Sequence, residues 1–312
     1  MAKSENYRDR LEALNRGPLR NRDEIKAEAA EVRRKLRKQR RGRTEKPAAS
    51  IVYHRDSPQS QTRPPRVHLP VGEPVALEAV VKGVEVPAPL GGLAFVIEQR
   101  VAELEKRTAR LSCTFLEKLA GERSQLRRRL CAAAETRDVG PEDVIFLDLE
   151  TCGLSSAPLF LIGTMVCEAE ELVVRQYFAR DYSEERAVTS LFMDAACGKR
   201  VLVSFNGKSF DLPYVRARAA ANAVACAVPP VHFDLLHECR RVWRNVLPNC
   251  KLQTLESAIC GRTRTSDIPG SEIPEAYHAF VRTQNAAQIS QILKHNLLDL
   301  VTLADLMVRL PR

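Results

Sequence analysis

The sequence has no apolar run long enough to cross a membrane, which takes ~18 or more consecutive apolar residues. Its most apolar stretch, Ala219 to Val231, is short and is interrupted by Asn222, Pro229 and Pro230. The first residues, Met-Ala-Lys-Ser-Glu-Asn-Tyr-Arg, lack the apolar core of a secretory leader. The expectation is a cytoplasmic protein with no membrane association, in a reducing compartment. None of the nine cysteines is spaced Cys-x-x-Cys, so neither a zinc knuckle nor a dithiol redox motif is indicated. Their odd number argues against a disulfide framework, and they read as small buried hydrophobes. The Gly-x-x-x-x-Gly-Lys-[Ser/Thr] loop of nucleoside-triphosphate sites is also missing; Lys208 in Asn-Gly-Lys-Ser does not complete it. There is a single tryptophan, Trp243, set among Arg240, Arg241 and Arg244. It reads either as a stacking clamp for a nucleic-acid strand or as the anchor of a core-facing helix with a basic outer face. His232 and His237 are too few for a zinc site, and Asp234 and His237 follow an apolar strand where they could border a cleft.

Charge is unevenly distributed. Residues 1–66 hold 19 Lys+Arg against 9 Asp+Glu, whereas the whole chain carries only +9. The excess positive charge therefore belongs to the N-terminal segment. Residues 1–70 have few large apolar residues and read as a disordered basic tail ending in a linker with Pro58, Pro64, Pro65 and Pro70. Eight of the eleven residues from Arg33 to Arg43 are basic, among them Arg33, Arg34, Lys35, Arg37 and Lys38. Such a block is either a phosphate-binding arm or a solvated, partly helical face.

Residues 71–140 read as a small α+β or helical pre-domain. Two short strands are expected at Val84 to Val86 and Leu93 to Ile97. One long amphipathic helix is expected through Leu104, Leu111, Phe115, Leu119, Leu126 and Leu130. From residue 141 to 312 the order is β-β-β-α-β-α-β-α, which predicts one α/β domain with a mixed, five-stranded sheet flanked by helices. The strands are read at 144–147, 159–166, 172–178, 201–205 and 231–233. A closing helix is read from about Ala286 to Leu310.

Three places carry chemistry. In Asp148-Leu149-Glu150 the two acids are separated by one strand residue and face the same side. Like charges that close repel, and burial adds a desolvation cost that a bound cation removes. Asp211 follows Asn206-Gly207-Lys208-Ser209-Phe210 near the start of a helix, where an acid also satisfies free backbone N–H groups. His295 and Asp299 are four apart on the last helix and share a face. Taken singly, each has an ordinary structural explanation. Together they make four carboxylates from distant parts of the chain. Such a cluster suits hard divalent cations, Mg²⁺ or Mn²⁺, with oxygen ligands, and paired ions are a known device for phosphodiester displacement.

At these residues the sequence resembles the DEDD 3′–5′ exonuclease superfamily, and more narrowly the YprB-type ribonuclease H-like domain. The strings that carry the likeness are FLDLETCGL, SFNGKSFDLP, HFDLLHECRRVWR, CKLQTLE, DIPGSEIPEAYHAF and KHNLLDLVTLA. The resemblance implies a ribonuclease H-like fold and a metal-dependent nuclease acting on DNA or RNA, with single strands as the expected substrate. It implies two ions held by Asp148, Glu150, Asp211 and Asp299, with Asp148 bridging and Glu150 also facing the attacking water or terminal sugar. It makes His295 the group that takes a proton from the nucleophilic water. The histidine branch places its His five residues before the last Asp; here the separation is four, the spacing at which the other branch carries Tyr. Both roles, base and water-positioning group, therefore stay open for His295. Thr151, Asn206 and Lys208 are candidate nucleic-acid contacts, and Cys152 stands where Thr is frequent. A non-catalytic nucleic-acid-binding module on the same fold is the alternative, and a scaffold docking through its tail is a third reading.

Overall fold

The computed structural model describes residues 74–311, apart from 123, 137, 154–156 and 266. The basic block with Arg33, Arg34, Lys35, Arg37 and Lys38 lies outside the described residues. Seven strands form one sheet: β1 (Val84–Pro87), β2 (Leu93–Arg100), β3 (Val144–Thr151), β4 (Leu159–Glu168), β5 (Glu171–Phe178), β6 (Val201–Ser204) and β7 (Val231–Asp234). Their order across the sheet is β1-β2-β5-β4-β3-β6-β7. Strands β3, β4 and β5 form an antiparallel meander, and β6 and β7 extend it in parallel beyond β3. These are the five strands read from the short apolar runs. The other two come from the segment expected to form a pre-domain. β2 pairs antiparallel with β5 from Phe95 opposite Phe178 to Arg100 opposite Val173, and β1 pairs with β2. The outer edge of β5 would otherwise leave a row of backbone donors and acceptors unpaired, and β2 satisfies them.

The helices are α1 (Lys106–Ala120), α2 (Gln125–Ala133), α3 (Glu185–Ala196), α4 (Asp211–Ala221), α5 (Leu235–Trp243), α6 (Ile273–Thr283) and α7 (Ile289–Arg309). The single long helix expected through Leu104 to Leu130 is three pieces, a short helix Val101–Leu104, α1 and α2, because the chain turns extended at Glu105 (φ −158°, ψ 160°) and at Gly121 (φ −70°, ψ 114°). The turn at Gly121 lets Leu119, Leu126 and Leu130 enter one core together. α6 was not anticipated, although Ile273, Tyr277 and Phe280 carry the helical period and Pro274 sits in its first turn, where a missing N–H costs nothing.

Alternation along β3 divides the core in two. Ile145, Leu147 and Leu149 pack with Val188 and Phe192 of α3, Val215 and Ala219 of α4, and Tyr277 and Phe280 of α6. Val144 and Phe146 pack on the other face with Phe115 of α1, Leu130 of α2, and Leu300, Val301, Ala304 and Met307 of α7. Asp148 and Glu150 continue the Phe146 face. The parallel pairing of β3 with β6 ends at Phe146 opposite Val203. The two acids therefore project just past the point where β6 turns away, at the carboxyl ends of parallel strands where open α/β sheets form clefts. All nine cysteines are free; Cys152, Cys239 and Cys260 are buried as expected, but Cys113, Cys197 and Cys226 are exposed. Trp243 is half-buried against the small cluster of Cys239, Leu255, Cys260 and Leu306, so it anchors α5 while Arg240, Arg241 and Arg244 face outward. Among the described residues, no helix is long and apolar enough to cross a membrane.

Phe115 is 1% exposed and its ring centroid lies 5.5 Å from that of Phe146. Phe115→Ala is expected to lower stability by about 3–5 kcal/mol, the usual cost of emptying a buried aromatic site. Urea unfolding followed by circular dichroism checks this, with a reduced midpoint expected for the sheet as well as for the helices.

Candidate active site

Asp148 is held from behind by α7. Asn296 Nδ2 donates to Asp148 Oδ2 at 2.7 Å and to the Asp148 carbonyl oxygen at 3.2 Å. Asn296 Oδ1 in turn accepts from Gln176 Nε2 of β5 at 2.8 Å, and the same Gln176 amide donates to the Leu293 carbonyl at 2.8 Å. This chain of contacts needs α7 to lie close on the sheet. Gly163, the β4 residue opposite Asp148, permits it, since a Cβ there would fall 2.1 Å from Asn296 Oδ1. The register between β3 and β4 shifts at Glu150 and Thr151, the kind of irregularity that re-aims side chains at strand ends.

Asp211 is placed by the turn that leaves β6. Asn206 adopts φ +64°, a left-handed conformation that Asn tolerates better than most residues. Asp234, at the end of β7, accepts from the backbone N–H of Asn206 at 2.8 Å, Lys208 at 3.0 Å and Leu236 at 3.0 Å. It thus caps α5 and fixes the turn at once. A Cβ on Gly207 would lie 2.1 Å from Ser204 Oγ and 3.0 Å from Asp211 Oδ2, so glycine is what lets the Asp211 carboxyl pack against the turn. The backbone at Asp211 and at Leu149, the residue between Asp148 and Glu150, opposes the rise of that carboxyl's pKa.

α7 brings the third group. His295 and Asp299 share a face, with His295 Nε2 3.5 Å from Asp299 Oδ2. His295 Nδ1 lies 2.9 Å from Asp267 Oδ1. Arg264, whose side chain is 6% exposed, donates to Asp299 Oδ1 at 2.5 Å, to Glu256 Oε2 at 2.7 Å and to Asp267 Oδ2 at 3.3 Å. Arg264, Asp267, Gln176 and Asn296 were not singled out from the sequence. Asn296 adjoins His295 in KHNLLDL and Asp267 opens DIPGSEIPEAYHAF, so those strings held the only signal. Of the other expected contacts, Asn206 and Lys208 are exposed. Thr151 is buried and its hydroxyl donates to the Gly153 carbonyl at 2.8 Å. His232 is turned away onto Ser204 Oγ at 2.7 Å, and burial lowers its pKa to about 4. The Cys152 thiol is pushed up to about 12, by burial first and Glu185 second.

The four acids act on one another. The Asp148 carboxyl is raised well above the ordinary range by burial and then by Asp299, Glu150 and Asp211. Glu150 is raised likewise by burial, Asp299, Asp211 and Asp267. Asp211 is raised to about 7, by burial first, with Asp234 and Asp299 adding to it. Asp299 is raised by burial although Arg264 and His295 oppose the shift. Among the described residues, Asp148, Glu150 and Asp211 form no ion pair. Three oxygen-bearing acids without a counter-charge are the donor set that a hard divalent cation takes, so the residues fit such an ion. Asp299 differs, because both its oxygens face cationic or potentially cationic nitrogens. Among the described residues, no group of three or more His, Cys, Asp or Glu side chains is placed so that together they could hold a metal ion, so the fit is one of donor chemistry and not of position.

Residues 145–311 match the model of the RNase_H superfamily, and the chain belongs to that superfamily. Within it the chain is similar to the YprB type, as the sequence motifs suggested. It is 29% identical over 177 residues to the uncharacterized protein YprB of Bacillus subtilis (strain 168), which covers 54% of this chain and 42% of that protein. The chain thus spans less than half the length of that relative. Among solved structures it is similar to the family B DNA polymerase of Pyrobaculum calidifontis, with 19% identity, a TM-score of 0.42, and coverage of 52% of this chain and 24% of the polymerase. It is also similar to NrnC of Brucella melitensis with bound Mg²⁺, with 13% identity, a TM-score of 0.25, and coverage of 53% and 83%.

The raised carboxyls have a consequence for metal-free protein. Asp211 moves from 3.8 to about 7 on folding, so between those values the folded state binds the extra proton. Its contribution to stability is full below about pH 4 and is lost as pH rises through about 7. Asp211→Asn is therefore expected to gain on wild type across that window, by about 2–4 kcal/mol at about pH 8. Urea midpoints of both proteins in EDTA, at steps from about pH 4 to 8, check the divergence.

Proposed function

We propose that this chain is a divalent-metal-dependent nuclease that hydrolyses phosphodiester bonds of DNA or RNA, acting as a 3′–5′ exonuclease on single strands. One observation carries the reading. Asp148, Glu150 and Asp211, from two separate parts of the chain, are each raised in part by the charge of Asp299 on a third, and His295 lies beside Asp299. Two Mg²⁺ or Mn²⁺ ions held by these four acids would supply positive charge against the reacting phosphate and against the acids themselves.

The chain's own residues supply the rest. Asn296 and Gln176 hold Asp148 in one orientation. The Asp234-braced turn holds Asp211, and Arg264 holds Asp299. In the reaction the water oxygen bonds to phosphorus and its proton passes to a ring nitrogen of His295. The bond from phosphorus to the 3′ oxygen breaks with its electron pair leaving on that oxygen, which then takes a proton from solvent. Exposed Asn206 and Lys208, at the rim beside Asp211, are suited to contact the strand. The basic block around Arg33, Arg34, Lys35, Arg37 and Lys38 would add salt-dependent, sequence-independent affinity. The hold of Arg264 and His295 on Asp299 favours a second reading, a nucleic-acid-binding module that does not turn over.

The deciding measurement is digestion of end-labelled single- and double-stranded DNA and RNA with Mg²⁺, with Mn²⁺ and with EDTA. Stepwise, metal-dependent shortening of single strands is expected. Asp148→Ala and Asp299→Asn are each expected to reduce it by more than about 100-fold, the upper range for losing an outer-shell contact. Wild-type rates in both variants would reject the site, and tight binding with no shortening under any metal would establish the second reading.

A further inference from the structure

The loop that joins the helical turn Glu256–Cys260 to α6 brings two charged residues, Arg264 and Asp267, to the edge of the carboxylate pocket. Asp267 uses both oxygens. Oδ2 accepts from Arg264 at 3.3 Å, and Oδ1 stands 2.9 Å from His295 Nδ1. The other ring nitrogen, Nε2, is farther from its own neighbour, Asp299 Oδ2, at 3.5 Å. His295 is thus suspended between two carboxylates, with the shorter contact to Asp267 and the longer one to Asp299.

A carboxylate paired with a guanidinium accepts hydrogen bonds and donates none, so a neutral imidazole meeting Asp267 at hydrogen-bond distance places its one proton on Nδ1. The nitrogen left without a proton is then Nε2, on the Asp299 side. We propose that Asp267 is a positioning residue of this site. It selects the His295 tautomer with Nδ1 protonated and aims a bare Nε2 at the four acids, while Arg264 keeps Asp267 in place. Which ring nitrogen is protonated decides whether a histidine accepts or donates at its free end. Of the two roles left open by the spacing of His295 and Asp299, this arrangement selects proton acceptor. When Nε2 takes the proton of the attacking water, the imidazolium forms between Asp267 and Asp299 and is stabilised by both.

The tautomer assignment stands on geometry alone, whereas its catalytic meaning rests on the hydrolytic reading of the same pocket. The experiment separates the two. Full-length protein labelled with ¹⁵N-histidine gives ring signals for six histidines, and His295→Gln identifies the one wanted. At alkaline pH wild type is expected to show Nδ1 protonated and Nε2 bare. Asp267→Asn, of the same shape, is expected to lose that preference, and Asp267→Glu to recover it in part. A protonated Nε2 in wild type, or an unchanged pattern in Asp267→Asn with native circular dichroism, would overturn the assignment. In the second arm, Mg²⁺-loaded proteins act on a single-stranded oligonucleotide. Asp267→Asn is expected to reduce kcat roughly 10- to 100-fold with little change in KM, and Asp267→Glu to restore part of it. Unchanged kcat beside an altered tautomer would overturn the catalytic role. If wild type shows the expected tautomer but cleaves nothing, the hydrolytic reading fails and the tautomer assignment survives.

Discussion

Four carboxylates that sense one another's charge and are largely withdrawn from water cannot all be ionised without something positive among them. All four are raised, first by burial, and repulsion within the group adds to the rise of Asp148, Glu150 and Asp211. A fold that keeps such a cluster must anchor each acid rigidly, or the charges would swing apart into solvent. Here the anchors differ in kind: an amide relay behind Asp148, a backbone turn around Asp211, and a guanidinium on Asp299. Two glycines belong to the same constraint. Gly163 lets the amide relay reach Asp148, and Gly207 lets the Asp211 carboxyl lie against its turn; neither position has room for a Cβ.

α7 joins these anchors because of its length and its path across the sheet. Its first turns contribute Ile289, Ile292 and Leu293 to one core, and its later turns contribute Leu297 to Val308 to the other. Between them sit His295, Asn296 and Asp299. Asn296 points to the sheet and to Asp148, whereas His295 and Asp299, four residues apart, turn together toward the Arg264 loop. A helix pinned at both ends by apolar packing cannot rotate to relieve repulsion at its middle. Hydrophobic burial at the ends therefore holds charged groups at the centre in positions they would not choose alone.

What could be read from the residues, and what could not, follows from periodicity. β3 was legible because Val144 to Leu147 is a short apolar run with β-branched residues, and the strand period of two put Asp148 and Glu150 on one side. His295 and Asp299 were legible because helical spacing is a local property. The two added strands were recognised as strands, but their partner was not, since pairing of β2 with β5 joins residues about 80 positions apart and no local pattern encodes it. Arg264 and Asp267 lie in a loop with no period at all. Only their positions in space, beside Glu256 and α7, distinguish them from ordinary exposed loop charges. Gln176 was hidden for another reason. It is a fully buried polar residue that follows Arg175 in its strand, and its partner is on the last helix.

The Arg264 network is a poor device for stability. Taking a guanidinium and its carboxylate partners out of water costs about as much as, or more than, their attraction returns, and apolar replacements of similar volume are often no less stable. Glu256 is 1% exposed, and it binds Arg264, Arg262 and Thr302 at once. So many directional contacts on one buried acid leave the Arg264 head little freedom to move. That rigidity passes to Asp267 and Asp299, each of which takes a separate nitrogen of the same guanidinium. A planar group with donors at fixed angles sets the distance between two carboxylates in a way that a flexible ammonium cannot, and His295 spans the gap so defined. The ionic loop at the end of the sheet is thus better explained as a jig for the imidazole than as a clamp for the fold.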